Sequence, residues 1–143
     1  MWQVALRYLT YRLYSEKELR QKLEKFKFPP AHIEAAMEKL KTYKYINDEE
    51  LSRMMANKYF FTGQLGFIGM INKFNQRGLS GVDIEWFLAS YDEAVEFKLA
   101  VKIVDRRFNL PADDYATKGK IYRLLVRKGY SAAVVNRVIN KMG

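Results

Sequence analysis

The sequence predicts an all-α protein, a tandem array of three three-helix repeats, elongated and with room to curve. Three observations carry that expectation. Apolar residues recur at helical spacing along nearly all of the 143 residues. Period-two alternation, the mark of a half-buried strand, is never sustained. The stretch "RKGYS" (Arg127 to Ser131) repeats the order of "QRGLS" (Gln76 to Ser80), a basic residue, Gly, one apolar residue and Ser, 51 positions apart.

The elements follow in order. Trp2, Ala5, Leu6, Leu9 and Leu13 form a first helical stripe, Leu19, Leu23 and Phe26 a second, and Ile33, Ala36, Met37 and Leu40 a third. "SEKE" (Ser15 to Glu18) between the first two has the form of a capping box, in which Ser15 accepts from an orphan amide and Glu18 reaches back. "FPP" (Phe28 to Pro30) ends the second helix and offers Pro30 as a first helical residue. "NDEE" (Asn47 to Glu50) caps a helix with Leu51, Met54, Met55 and Tyr59, and Leu65, Ile68, Ile71 and Phe74 mark the next. "SGVD" (Ser80 to Asp83) opens a helix holding Ile84, Phe87, Leu88 and Tyr91. "SYDE" (Ser90 to Glu93) leads into Val95, Leu99, Ile103 and Val104. After a loop around Asn109 to Asp114 come Ile121, Leu124 and Leu125, and Ser131 starts a last helix with Val134, Val135, Val138, Ile139 and Met142.

Sliding the chain on itself by 51 positions tests the echo. Leu19, Leu23, Phe28, Ile33 and Met37 fall on Met70, Phe74, Leu79, Ile84 and Leu88, and these on Ile121, Leu125, Tyr130, Val135 and Ile139. Five apolar positions coincide in three registers, so the expected units are 1–45, 46–93 and 94–143, stacked as repeats.

Composition narrows the function. The chain has no cysteine, which excludes disulfides and thiolate metal sites and suits a reducing, cytoplasmic compartment. The N-terminal stretch holds Arg7 and Arg12 within its apolar pattern and does not read as a signal peptide. No run approaches 18 apolar residues, so no membrane partner is expected. His32 is the only histidine, and no nucleophile accompanies it, so neither a metal centre nor an enzyme is expected, and no cofactor. Gly63, Gly66 and Gly69 lack the Lys-Ser/Thr ending of a phosphate loop and fit close helix packing better. The acidic run at Asn47 to Glu50 is accounted for by capping and the helix dipole.

The net charge of +9 points to a polyanion or an acidic protein surface. It is spread as +5 over 1–45, −3 over 46–93 and +7 over 94–143. Arg106, Arg107, Lys118, Lys120, Arg123, Arg127 and Lys128 gather around one loop and one helix of the third repeat. Arg12, Arg20, Lys22, Lys25 and Lys27 hold the matching region of the first. Lysines such as Lys39 and Lys41 are read as solvating helix backs. The two clusters are the candidate binding surface, with two basic ends around an acidic middle. Tyr8, Tyr11, Tyr14, Tyr43, Tyr45, Tyr122 and Tyr130 interleave with them, and fit both base stacking and bundle packing.

Four segments carry a resemblance. They are "ALRYLTYRLYSEKELRQKL" (Ala5 to Leu23), "YINDEELSRMMANKY" (Tyr45 to Tyr59), "GFIGMINKFNQRGLS" (Gly66 to Ser80) and "KIYRLLVRKGYS" (Lys120 to Ser131). Together they resemble the RecX family, regulators of the bacterial recombinase RecA. Arg12, Ser15, Glu18 and Leu19 meet that family's first signature, Ile46, Asn47, Asp48 and Glu49 its second, and Phe74, Arg77, Gly78 with Leu125, Lys128, Gly129 its helix–turn joints. Two positions depart. Lys27 stands where the first joint has Gly, with Pro29 and Pro30 supplying the turn, and Asn47 stands where Asp is usual. The resemblance implies a non-enzymatic, monomeric modulator in recombinational DNA repair and the SOS response. It would bind the RecA filament, and single-stranded DNA through it, and inhibit ATP hydrolysis and strand exchange. The alternative from the residues alone is a stand-alone helical DNA-binding protein acting on bare DNA.

Overall fold

The computed structural model describes residues 1–108 and 114–142, apart from the side chains of Thr10, Tyr11 and Met142. The loop expected at Asn109 to Asp114 thus lies, except for Asp114, outside the described residues, as do the side chains of Tyr11 and Met142. Among the described residues there are nine α-helices, one 3₁₀ turn and no strand. They are α1 (Trp2–Tyr11), α2 (Glu16–Lys25), α3 (Pro30–Thr42), α4 (Asp48–Tyr59), α5 (Phe67–Gln76), α6 (Glu85–Ser90), α7 (Glu93–Arg107), α8 (Tyr115–Arg127) and α9 (Ala132–Met142). The 3₁₀ turn, Gly81–Ile84, precedes α6.

The caps show why the chain breaks where it does. Ser15 and Glu18 form the full capping box of α2, and Pro30 is the first residue of α3. Asn47 Oδ1 accepts from the Glu50 amide at the start of α4. Before α7 the cap is Asp92, accepting from the Ala94 amide, while Ser90 ends α6. Lys27, Gly78 and Gly129, each 51 positions from the next, all take positive φ, at 60°, 78° and 81°. The left-handed residue that ends the second helix of each repeat is thus the same register position three times, even where it is a lysine.

The chain forms two compact units. The first comprises 1–53 and 74–86, the second 54–73 and 87–143. In the first, α2 packs on α1 and α3 around Ala5, Leu19, Leu23, Ile33, Met37, Leu40 and Ile46. In the second, α9 packs on α7 and α8 around Ala100, Val104, Ile121, Leu125, Tyr130, Val134, Val135 and Val138. Residues 46–93 are divided between the two.

Most of the fifteen register positions are buried or half-buried; Leu88 is not, at 49% exposed. Phe87 is buried in its place. The 3₁₀ turn is the reason: it advances about 120° per residue against about 100° in an α-helix, so four residues bring the core face round nearly one position early. Met54, Ile68 and Val95 also face solvent, leaving Met55, Met70 and Phe74 with Ala100 and Ile103 as the buried side of their helices.

Candidate functional site: basic surfaces and the joints beneath them

The second and third joints each dock on the start of another helix in their own unit. In the first unit the Ser15 hydroxyl donates to the Arg77 carbonyl, and Arg77 Nε and Nη2 donate to Glu18 at 3.2 and 2.9 Å. Arg77 Nη2 also reaches the Leu13 carbonyl at 2.7 Å, and Arg12 Nη2 donates to Glu18 Oε2 at 2.9 Å. Burial alone would raise the Glu18 carboxyl, but bonds from Arg77 and the Ser15 amide, with the Arg77 and Arg12 charges, hold it below its usual range.

In the second unit the same register is met by backbone. The Gly66 amide donates to the Lys128 carbonyl at 2.9 Å and the Gly69 amide to the Gly129 carbonyl at 3.1 Å. A Cβ on Gly66 would strike the Tyr130 backbone, one on Gly69 the Lys128 carbonyl, and one on Gly129 the Gly69 backbone. The close-packing reading of these glycines therefore stands, and for Gly66 and Gly69 the neighbour is a joint.

A carboxylate from elsewhere in the unit completes each helix start. Asp48 Oδ1 accepts from the Glu16 amide at 2.9 Å, and Glu96 Oε2 from the Phe67 amide at 2.8 Å; Glu16 and Phe67 are 51 positions apart. Glu96 is fully buried and also accepts from Tyr91 Oη, Ser131 Oγ and the Ser131 amide. Ser131 is thus a donor to Glu96. Burial and its own hydrogen bond to Glu96 push the Tyr91 phenol up to about 12. Asp48 is pushed up to about 6 by burial, then by Asp83 and Glu16, against the Glu16 amide and Lys41. The acidic run at Asn47 therefore does more than cap its own helix: Asp48 caps α2.

The predicted basic residues divide by unit. Arg12 is paired with Glu18 and lies 4.5 Å over the Tyr14 ring. Arg20 pairs with Glu16 and Glu34. Lys22 sits 5.8 Å over the Tyr8 ring, and Lys25 is exposed. Lys41, read as a solvating lysine, pairs with Glu16 at 2.7 Å.

In the second unit, Arg106, Arg107, Lys118, Lys120, Arg123, Arg127 and Lys128 take part in no ion pair among the described residues. Lys120, Arg123 and Arg127 share one exposed face of α8, whereas Lys118 lies roughly 160° away from Lys120 round the helix and is half-buried. Lys128 Nζ donates to the Gln64 carbonyl at 3.3 Å. Burial, then the nearby Arg107 and Arg127 charges, pulls its ammonium below the ordinary lysine range. The charges of Arg107 and Arg127 thus act on Lys128.

By unit, the net charge divides unevenly. The first holds twelve Lys/Arg against ten Asp/Glu, the second thirteen against six, hence +2 and +7. Of the tyrosines, Tyr43, Tyr45 and Tyr122 are exposed, while Tyr130 is core and donates to the Gly63 carbonyl at 2.7 Å. Sequence reading missed Glu96 and the contacts made by Arg77 and Asp48, although it placed Arg77 in a joint and Asp48 at a helix start. For Arg77 the 51-residue register with Lys128 was a usable signal; the donors to Glu96 come from α5, Tyr91 and Ser131, which no spacing links.

Comparison with known proteins agrees with this architecture. The profile of the RecX first three-helix domain matches residues 2–40, and that of the third three-helix domain residues 94–139. The "Regulatory protein RecX" of Clostridium beijerinckii is 32% identical over 96% of this chain and 66% of its own length. That of Syntrophotalea carbinolica is 28% identical over 94% of this chain and 90% of its own. That of Bacillus pumilus is 28% identical over 98% of this chain, which spans only 54% of that protein. The crystal structure of RecX from Lactobacillus salivarius superposes with a TM-score of 0.83 at 23% identity, over 99% of this chain and 93% of that one. The chain belongs to the RecX family.

Proposed function

We propose that the protein modulates RecA, chiefly as an inhibitor, by binding the filament that the recombinase forms on single-stranded DNA, as a monomer and without catalysis of its own. Three repeats, 1–45, 46–93 and 94–143, are its working units. Family membership supplies the regulatory role. The observation that carries the mode of binding is the exposed Lys120–Arg123–Arg127 face of α8, with Lys128 next in the chain and the Arg107 charge acting on it, and with no carboxylate paired to any of them among the described residues. Like charges held together raise one another's energy, and an incoming polyanion relieves that repulsion while releasing its own counterions.

Arg12 and Arg20 of the first repeat are occupied with Glu18, Glu16 and Glu34, so the second unit supplies most of the electrostatic attraction. Binding to RecA-coated and to bare single strands, measured side by side for the native chain and the triple variant Arg107→Ala, Arg123→Ala, Arg127→Ala, tests this. The expected result is a clear preference for coated strands, with affinity lost in the variant and helical content kept. Tight, steeply salt-dependent binding to bare DNA with no preference for the filament would favour the stand-alone DNA-binding reading.

A further inference from the structure

The first joint departs from its two sisters at one more position. Residue Arg77 of the second joint and Lys128 of the third are 51 positions apart, and both reach polar groups of another repeat. The residue in that register of the first joint is Phe26, with Lys27 in the left-handed place that is glycine elsewhere. Phe26 is 51% exposed, whereas Tyr8, Tyr14 and Phe28 are partly buried and border the first unit's core. Core packing accounts for those three rings and leaves Phe26 unexplained.

Its surroundings have a recognisable chemistry. Phe26 stacks on Phe28 at 6.0 Å with planes 26° apart, and stands edge-on to Tyr8 at 6.2 Å, which in turn meets Tyr14 at 5.8 Å. Lys25 and Lys27 flank it in the chain, Lys22 lies over Tyr8, and Arg12 lies over Tyr14. Arg12, Tyr14, Lys22 and Lys25 also line an open cleft of about 580 Å³ with Gln21, Glu18 and Glu24. Glu18 is already neutralised by Arg77 and Arg12, so among the described residues that line the cleft Glu24 is the carboxylate left to offset Lys22 and Lys25.

We infer that this joint is a stacking platform for single-stranded nucleic acid, one unpaired base lying on Phe26 and the adjoining phosphates meeting Lys22, Lys25 and Lys27. Exposed aromatic faces interleaved with cations take single strands without regard to sequence, because every base has a π-face. A duplex keeps its bases stacked inside and offers the ring nothing. An acidic peptide would answer the lysines but gain little from the ring.

The site goes beyond the role proposed above, since its ligand is bare strand. Its test contains no recombinase, so its failure leaves the RecA reading untouched, and the converse holds. Fluorescence anisotropy of a labelled 20-mer of thymidylate and of a hairpin duplex reads binding to the full chain across a salt series. Phe26→Ala is expected to weaken single-strand binding about ten-fold, leaving duplex binding and the salt slope alone. Lys22→Gln with Lys25→Gln should lower the slope on the single strand by about 1.4. Phe26→Trp should keep the affinity, its added fluorescence quenched by the thymidylate strand and not by poly-glutamate. No binding of the strand at low salt, Phe26→Ala binding like the native chain, equal losses on strand and duplex, or an unquenched Phe26→Trp would each overturn the assignment.

Discussion

The two joints that dock within the molecule occupy one register and are built from opposite chemistry. At Arg77–Gly78 the helix start facing the joint is Ser15 to Glu18, and the contact is a set of side-chain hydrogen bonds around one carboxylate, with Arg77 and Glu18 each only 19% exposed. At Lys128–Gly129 the equivalent helix start is Gly66 to Gly69, and the contact is backbone on backbone. The first depends on charge and geometry, and the second on the absence of Cβ atoms. A repeat can therefore keep its stacking register while its interface is rewritten, because the register is set by the left-handed turn and by the apolar positions around it, not by the residues that touch.

The comparison is broken most severely at the glycines. Gly129→Ala places a Cβ against the Gly69 backbone and a side chain at φ 81°, and should cost about 3–5 kcal/mol in denaturant unfolding. Gly78→Ala meets the Lys17 Cβ and Cδ rather than backbone atoms, and should cost less, about 2 kcal/mol, from that contact and its positive φ. Equal losses at the two sites would erase the distinction.

Next comes Glu96→Ala. It strands the Phe67 and Ser131 amides and two hydroxyls in a buried place, with an expected loss of about 3 kcal/mol and faster hydrogen exchange in α5 and α9 ahead of α2. Arg77→Ala should be milder, about 1–2 kcal/mol, since its network is partly open to water. Arg77→Lys should fail to restore it, because a lysine cannot donate from two nitrogens at once.

The smallest effect is a pH dependence. Asp48 titrates at about 6 in the fold and in the ordinary carboxylate range when unfolded. Between those values the folded chain binds the proton and the unfolded chain does not, so this group's contribution to stability falls as pH rises through the window. Asp48→Asn keeps an oxygen for the Glu16 amide and removes the titration. The native chain should lose about 1 kcal/mol relative to the variant between pH 4 and pH 7, the figure discounted for partial exposure.

The fold was legible wherever one residue carries one local consequence. Ser15 with Glu18, Pro30 after Pro29 and the glycines at 78 and 129 are short-range devices, and each acts as its sequence suggests. At the first joint, where Pro29 and Pro30 are expected to supply the turn, Lys27 itself takes the left-handed conformation. Leu88 misled because a 3₁₀ turn shifts phase without altering the apolar pattern that precedes it. At the basic surface, charge counting found the cations but could not separate Arg12 and Arg20, held by carboxylates, from Arg107, Arg123 and Arg127, which take part in no ion pair among the described residues. That separation depends on pairs such as Arg20–Glu34 and Arg77–Glu18, which form only when helices pack. The same holds for the division of charge into +2 and +7, since the compact units cut across the linear repeats.

The most direct test of the central claim is single-strand-dependent ATP hydrolysis by the cognate RecA, with the chain titrated in after filament assembly and the Arg107→Ala, Arg123→Ala, Arg127→Ala variant run beside it. The proposed role predicts a fall in hydrolysis at well below one molecule per recombinase subunit, and a variant that needs several-fold more protein for the same effect. No fall until the protein saturates the DNA, or a variant indistinguishable from the native chain, would contradict it.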